Sequence, residues 1–203
     1  TDILLKRDFD KYREIGEPHP FLVATGRDFL IPFSHEHFEL WTQSLHFGAK
    51  DRLNFVDPKT NLKVGGGLDD VWLNINTNCL HIVDYKSTSQ KSDKGPITLD
   101  DPWKASYKRQ MDLYVWVLRK KGFHVDDVGY FLYCDGDRFS DYDFLSSTAA
   151  SMNFKITLIE YKTNDTWIEP TLQDISECLN ESKRPQHSDY CEYGKFLTQS
   201  LNQ

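Results

Sequence analysis

Two runs of sequence decide the fold: Gly-Gly-Leu-Asp-Asp-Val-Trp at residues 66–72 and Leu-His-Ile-Val-Asp-Tyr-Lys-Ser-Thr at residues 80–88. Both have the composition of β-strands, and the first one begins with glycines. The link between them, at residues 74–78, is polar and rich in turn-forming residues. Together the two runs predict a β-hairpin.

Three polar side chains in this hairpin are predicted to converge. Side chains on a strand alternate between the two faces of a sheet, so Asp84 and Lys86 point to one face and Tyr85 points to the other. Asp69, on the neighbouring strand, can then join Asp84 and Lys86. Two carboxylates beside an ammonium group suit Mg²⁺, which binds one or two carboxylates and leaves its other positions to water and phosphate oxygens. This chemistry indicates phosphodiester hydrolysis.

Three motifs occur in a fixed order along the chain. They are Gly-x-x-Asp at 66–69, Asp-x-Lys at 84–86 and, on a following helix, Gln-x-x-x-Tyr at 110–114. The ordered set resembles the PD-(D/E)XK nuclease superfamily, and within it the RecB-type branch of exonucleases and CRISPR-associated relatives. The resemblance covers residues 35–135. It implies an α/β fold with a central mixed β-sheet flanked by α-helices, which is a restriction-endonuclease-like core.

The resemblance also implies roles for the residues of the acidic site. Asp69 and Asp84 would bind Mg²⁺ or Mn²⁺ with help from the backbone carbonyl of Tyr85, and Lys86 would position or activate the attacking water. The predicted function is metal-dependent hydrolysis of nucleic acid, with DNA favoured over RNA. The alternative is a nucleic-acid or protein-binding module that keeps the fold without useful catalysis.

The most regular helix pattern of the chain lies between Asp101-Pro102, a good helix start with the acid as N-cap, and Gly122, a good stop. Gln110 and Tyr114 share one face of this helix because they are four residues apart. The resemblance places both near the active site and the bound strand. From the residues alone, Tyr114 fits the apolar core equally well, and Gln110 could be a solvated side chain.

The Asp/Glu-x-Lys pattern alone does not single out residues 84–86, because it also occurs at 57–59, 160–162 and 181–183. The second of these other copies is the serious competitor, since it lies on a predicted strand at 154–161. No glycine-led acidic strand precedes that copy, however, and no Gln-x-x-x-Tyr helix follows it. The apolar run before Asp84 predicts a strand buried on both faces, where a polar pair needs a function.

A histidine before the acidic strands is a further candidate metal ligand. RecB-type enzymes often supply such a ligand from a helix, and a helix is predicted here at residues 35–47. His35 is favoured because Phe38 and Trp41 would then form the buried side of that helix. His37 is the alternative, and both histidines could simply lie on the surface.

The four cysteines are Cys79, Cys134, Cys178 and Cys191. They have no short paired spacing, so they fit a reducing cytoplasm and give little support to a zinc site with the histidines. The tail around Cys191 resembles the stretch where iron–sulfur members of the branch carry Cys-x-x-Cys. Because Gly194 stands in place of the second cysteine, we expect no iron–sulfur cluster.

The charge of the chain is unevenly distributed. The net charge is −7, which is unfavourable for binding a polyanion, but residues 86–121 carry nine Lys or Arg against four Asp. This segment could form a basic track for a nucleic-acid strand, or it could be a solvated helix face. The side chains predicted to contact the strand are Lys104, Lys108 and Arg109, with Trp103 and Tyr107 nearby for stacking.

Length and composition predict a single domain, residues 1–203. With 39% hydrophobic and 14% aromatic residues, the chain can bury a substantial core without a disulfide or a structural metal. No apolar run approaches membrane-spanning length and no signal peptide is visible, so we expect a cytoplasmic protein that does not bind membranes. The sequence begins with Thr1 rather than Met, which leaves open whether an N-terminal segment precedes it.

Overall fold

The computed structural model describes residues 1–43, 50, 52–91, 95–183 and 185–201. In chain order these residues form α1 (Asp2–Ile15), α2 (Pro20–Ala24), β1 (Leu30–Pro32), α3 (Phe38–Trp41), β2 (Asn54–Val56), β3 (Lys63–Gly65), β4 (Asp70–Asn74), β5 (Cys79–Thr88), α4 (Ala105–Lys120), β6 (Val128–Gly136), β7 (Phe154–Lys162), α5 (Ile168–Asn180) and α6 (Glu192–Leu201). A 3₁₀ turn at Pro102–Lys104 leads into α4.

Five of the strands form one mixed sheet in the spatial order β1-β4-β5-β6-β7. β4 and β5 form the predicted hairpin, with Asp70 opposite Val83. β5 and β6 run parallel, with Lys86 opposite Tyr133, and α4 lies in the crossover between them. β1 and β7 pair antiparallel at the two edges, and β2 and β3 form a separate two-stranded sheet. The predicted α/β fold with a central mixed sheet is therefore confirmed, and it is consistent with a restriction-endonuclease-like core.

Helices cover both faces of the five-stranded sheet. The buried cluster on the α4 face includes Val71, Ile82, Met111, Leu118 and Phe131. The buried cluster on the α1 and α2 face includes Phe9, Leu22, Trp72, Tyr85 and Tyr130. Asp84 and Lys86 follow Ile82 at steps of two residues, so they lie on the α4 face, while Tyr85 lies on the opposite face.

Helix α4 confirms the predicted helix and refines its start. Asp101 makes no capping hydrogen bond with its side chain, and the chain first forms the 3₁₀ turn before α4 begins at Ala105. The helix ends before Gly122, whose φ of +93° is a conformation that glycine adopts easily. Among the described residues, no helix is long and apolar enough to cross a membrane.

The first strand of the hairpin is shorter than predicted, because Asp69 lies in the loop immediately before β4. The backbone of the preceding glycine segment makes other hydrogen bonds. The Gly66 amide donates to the Leu53 carbonyl, and the Leu68 amide donates to the Trp41 carbonyl, both at 3.1 Å. These two bonds hold the segment away from β5, so pairing with β5 begins only after Asp69.

The helix predicted at residues 35–47 is also shorter. Within the described residues it is reduced to α3, a single turn, and positions 44–47 lie outside them. The imidazole Nδ1 of His35 accepts a hydrogen bond from the His37 amide at 3.1 Å. Such a local side-chain bond competes with helix formation, because it holds the backbone in a turn.

A buried ion pair joins α1 to the sheet. Arg13 Nη2 donates to Asp70 Oδ1 at 2.6 Å, and the side chains of Arg13 and Asp70 are 10% and 0% exposed. Arg13 also donates to the Phe33 carbonyl, and its guanidinium lies 3.8 Å from the centre of the Phe38 ring. One side chain thus holds α1, β4, α3 and the segment after β1 together.

We expect Arg13→Ala to lower the free energy of unfolding by about 3–5 kcal/mol, because it leaves the Asp70 carboxylate buried without its cation. The matched control is Lys11→Ala, which removes an exposed ion pair to Asp8 on the same helix and should cost less than about 1 kcal/mol. Urea denaturation at neutral pH measures both. Similar small losses in the two variants would show that the fold does not depend on the Arg13 pair.

Candidate active site

Two carboxylates meet where β5 extends beyond the end of β4. Asp70, the first residue of β4, pairs with Val83. Asp84 and the β5 residues after it therefore have no β4 neighbour. The loop residue Asp69 lies at this free edge, where its Oδ2 accepts a hydrogen bond from the Tyr85 amide at 2.8 Å. The bond fixes Asp69 beside Asp84, so the structure brings the two predicted acidic residues together.

Lys86 completes this group. Its Nζ lies 2.5 Å from Asp84 Oδ2, and the two side chains are 17% and 4% exposed. The contact is a close ion pair, and Asp84 Oδ2 is buried with no further polar partner among the described residues. Lys86 Nζ also lies 4.3 Å from the centre of the Tyr107 ring. The ammonium group is therefore held between a carboxylate and an aromatic face.

Both carboxyl groups bind protons more tightly than ordinary aspartates. Burial raises the pKa of Asp84 to about 6, the neighbouring Asp69 adds to the increase, and Lys86 opposes it. Burial also raises the pKa of Asp69, although the Tyr85 amide and Lys86 stabilise its charged form. Burial therefore disfavours the charged forms of both carboxyl groups by more than Lys86 stabilises them.

Beneath the site, Tyr85 connects Asp69 to its neighbour Asp70. The Tyr85 hydroxyl donates to Asp70 Oδ2 at 2.5 Å on the α1 face of the sheet, while the Tyr85 amide donates to Asp69. Asp70 also accepts hydrogen bonds from the Trp72 indole and from Arg13. The sequence analysis did not assign a role to Asp70. The sequence did contain a signal for Asp70. It follows Asp69 directly on a predicted strand, so strand alternation places its side chain on the opposite face of the sheet.

Gln110 and Tyr114 hold the glycine segment that carries Asp69. Gln110 Nε2 donates to the Tyr114 hydroxyl at 2.9 Å, and that hydroxyl donates to the Gly67 carbonyl at 2.7 Å. A Cβ atom at Gly66 would lie 2.7 Å from the Tyr114 ring, so only glycine fits this contact. Through these bonds both side chains position the loop that carries Asp69.

His35 lies in an aromatic cluster instead. Its ring stacks on Trp41 at 4.5 Å between centroids and makes an edge contact with Phe123 at 5.4 Å. Burial lowers its pKa. Among the described residues, no three His, Cys, Asp or Glu side chains form a group that could hold a metal ion. The structure therefore does not bring His35 together with Asp69 and Asp84.

The predicted basic side chains differ in their surroundings. Lys104 is buried, not exposed as a charged track requires, because its Nζ donates to the Thr98 carbonyl at 2.6 Å and pairs with Asp101 at 2.9 Å. Lys108 is half-buried, with its Nζ 6.0 Å from the centre of the Tyr161 ring. Arg109 is exposed. The basic residues of α4 thus do not form one continuous exposed row.

The competing Asp/Glu-x-Lys copy at residues 160–162 lies on β7, an edge strand. Glu160 is 55% exposed on its side chain and pairs with Arg27 at 2.8 Å. The copy at 57–59 lies in the turn between β2 and β3, where Asp57 accepts hydrogen bonds from Thr60. Neither copy combines a buried carboxylate with a second carboxylate and a lysine in contact.

A groove of about 450 Å³ opens next to Lys86. Its walls include the end of β5, the segment 96–98, the 3₁₀ turn and the start of α4, and Tyr133 of β6. The sequence analysis did not assign Tyr133. Strand alternation on β6, which places Tyr133 on the same face as Phe131, could have identified it once β6 was paired with β5.

The comparisons with known proteins agree with this geometry. The sequence model of the PD-(D/E)XK nuclease superfamily matches residues 22–196, which is most of the chain. Neither a curated protein nor a solved structure matches significantly. Nucleases of this superfamily usually use Mg²⁺ or Mn²⁺. By its sequence and its mixed sheet, the chain belongs to the PD-(D/E)XK nuclease superfamily.

Proposed function

We propose that the protein is a metal-dependent nuclease of the RecB-type branch, which hydrolyses phosphodiester bonds of nucleic acid, with DNA favoured, in a single nuclease-like domain. One observation carries the proposal: two largely buried carboxylates, Asp69 and Asp84, lie at the same edge of the sheet with one ammonium group, that of Lys86, 2.5 Å from Asp84 Oδ2. Two buried carboxylates that share one ammonium group are costly in their charged forms unless a further cation binds them. A divalent cation fits this requirement.

The proposed metal ligands are Asp69, Asp84 and the backbone carbonyl of Tyr85. Carboxylate and carbonyl oxygens suit Mg²⁺ and Mn²⁺. In a strand, the amide and the carbonyl of one residue point to the same edge, so the Tyr85 carbonyl faces the edge at which its amide binds Asp69. His35 is left out of this set because its ring packs against Trp41 and Phe123 and, among the described residues, forms no metal-binding group with the two aspartates.

A cation bound there would polarise the scissile phosphate and lower the pKa of its water. Lys86 would orient the attacking water through its ammonium hydrogens and offset the negative charge that develops on the phosphate. Its contacts with Asp84 and the Tyr107 ring restrict its position before substrate arrives. Gln110 and Tyr114 would hold the Asp69 loop, because residues that hydrogen-bond around a metal ligand commonly fix its orientation.

The alternative is a binding module that keeps this fold without useful catalysis. The buried Asp84 oxygen favours the enzyme, because burying two carboxylates destabilises a protein and has no evident use in a pure binding surface. A screen of labelled single- and double-stranded DNA and RNA with Mg²⁺, Mn²⁺ or EDTA separates the two. Binding without metal-dependent cleavage of any substrate would leave the binding module as the function.

We expect calorimetry to detect Mn²⁺ binding that Asp84→Asn weakens by more than about 100-fold. Loss of a residue that supports a metal ligand typically costs about 10–100-fold, and loss of a direct ligand should cost at least as much. Asparagine has the same shape and removes a buried charge, so the variant should fold. The matched control is Glu160→Gln, which should bind Mn²⁺ like the wild type. If Glu160→Gln weakened Mn²⁺ binding and Asp84→Asn did not, the metal site would lie on β7.

We expect Lys86→Ala to reduce the single-turnover rate of cleavage by about 10²–10⁴-fold, the usual contribution of a group that orients or transfers a proton. Mn²⁺ affinity should change little, because Lys86 is not a ligand. The control is Lys162→Ala, the lysine of the competing motif. Quenched-flow assays with enzyme in excess measure the rate. An unchanged rate in Lys86→Ala would remove this residue from the mechanism.

The raised pKa of Asp84 makes a prediction for the metal-free protein. Between its unfolded pKa of about 3.9 and its folded pKa of about 6, only the folded state holds the proton, so the stability from Asp84 falls as the pH rises through this window. Asp84→Asn removes this loss. Relative to the wild type, the variant should gain roughly 2 kcal/mol between pH 4 and pH 7.5. Urea denaturation in EDTA measures it, and a constant difference would contradict the burial of a charged Asp84.

A further inference from the structure

The groove beside Lys86 is continuous with the acidic site. Lys86 contributes to both: its Nζ contacts Asp84, and its side chain forms one wall of the groove. The volume of about 450 Å³ falls within the range of about 300–1,000 Å³ that is typical of small-molecule sites. A ligand of nucleotide size would therefore fit next to the carboxylates.

One wall of the groove carries a hydrogen-bond donor without an acceptor. Tyr133 is 3% exposed, and its hydroxyl has no hydrogen-bond partner among the described residues. Burial, together with the nearby Tyr107, Asp84 and Asp101, raises the pKa of Tyr133 to about 12, so the hydroxyl keeps its proton at neutral pH. A buried hydroxyl of this kind costs free energy unless an acceptor reaches it.

The outer wall carries an open aromatic face. Trp103 is 60% exposed, although the next residue, Lys104, is buried. The Tyr107 ring meets it in an edge contact, with 5.5 Å between centroids and 84° between planes. Tyr107 in turn lies under the ammonium group of Lys86. The indole is thus held in place next to the site while one face stays free for stacking.

Lys104 places a fixed ammonium group in the wall of the groove, paired with Asp101, which also lines the groove. Its Nζ lies 5.0 Å from the Trp103 ring and 5.7 Å from the Tyr133 ring, and its bonds to Thr98 and Asp101 fix it there. The groove therefore combines an aromatic face, a hydroxyl donor and two ammonium groups. A nucleotide offers the matching groups, a base and a phosphate.

We propose that this groove binds one unpaired nucleotide next to the scissile phosphate, so that the enzyme acts on single strands or frayed ends. The base stacks on Trp103, and the Tyr133 hydroxyl donates to a phosphate oxygen. Inside a duplex, neighbouring pairs cover both faces of each base, so stacking along a strand away from its ends requires an unpaired base. This inference rests on the proposed nuclease function, and its test separates the two.

The test is fluorescence anisotropy with an end-labelled eight-nucleotide oligothymidylate, its oligouridylate counterpart and a blunt eight-base-pair duplex. Each is measured with Ca²⁺ in place of Mg²⁺ and again in EDTA, and gels check that the strands stay intact. The wild type should bind the single strands more tightly than the duplex. The two single strands together show whether the site takes DNA, RNA or both.

Two variants test the two contacts. Trp103→Ala should weaken single-strand binding by about 5- to 150-fold, the usual range for one base stacked on an aromatic ring. Tyr133→Phe should weaken it roughly tenfold without lowering the melting temperature, because the hydroxyl makes no bond within the described protein. The matched controls are Tyr190→Ala and Tyr193→Phe, which alter residues that are 90% and 81% exposed in the tail.

The outcomes distinguish this inference from the proposed function. If the wild type cleaves nucleic acid but both groove variants bind like the controls, the inference is overturned and the nuclease function stands. Equal binding of the duplex, or no strand binding under either condition, also overturns it. If single strands bind through Trp103 and Tyr133 without any metal-dependent cleavage, the groove is supported and the nuclease function fails.

Discussion

Tyr85 makes hydrogen bonds to both members of the pair Asp69 and Asp70, and the rest of the arrangement depends on these two bonds. Its hydroxyl binds Asp70 on the α1 face, where Arg13 supplies the compensating charge. Its amide binds Asp69 at the free edge of β5. The candidate metal site is therefore held in place from the α1 face of the sheet by Tyr85 and the ion pair of Asp70 with Arg13. Together with the bond from Tyr114 to the Gly67 carbonyl, the Tyr85 amide holds the acidic loop beside Asp84 against the repulsion of like charges.

The sequence was most informative about the hairpin. Strand alternation alone was enough to place Asp84 and Lys86 on one face and Tyr85 on the other, because the two-residue period leaves no freedom once the strand is buried. Context also separated this Asp-x-Lys copy from the one at Glu160, which no acidic strand precedes and which lies on the edge strand β7. The family resemblance depended on the same local features, and the superfamily model matches residues 22–196.

The differences arise from contacts between residues far apart in sequence. Asp69 leaves the strand because the glycine segment bonds to carbonyls of Leu53 and Trp41, which no local pattern reveals. Lys104 is buried because the Thr98 carbonyl and Asp101 satisfy its ammonium group, although a lysine at a helix start normally predicts exposure. Tyr133 became significant only when the register of β5 and β6 placed it opposite Lys86. Composition and spacing carry no information about such distant partners.

The hairpin also bears on how the site assembles as the chain folds. A short loop joins β4 to β5, so bringing Asp69 and Asp84 together costs little chain entropy. The parallel pairing of β5 with β6 must close the much longer crossover through α4, which makes it the slower step. We therefore expect the carboxylates to meet while they are still hydrated, and α4 and β6 to remove their water later. The free-energy cost of removing water from Asp69 and Asp84 is thus offset by the packing of α4 and β6. These elements are distant in sequence from the residues of the acidic site.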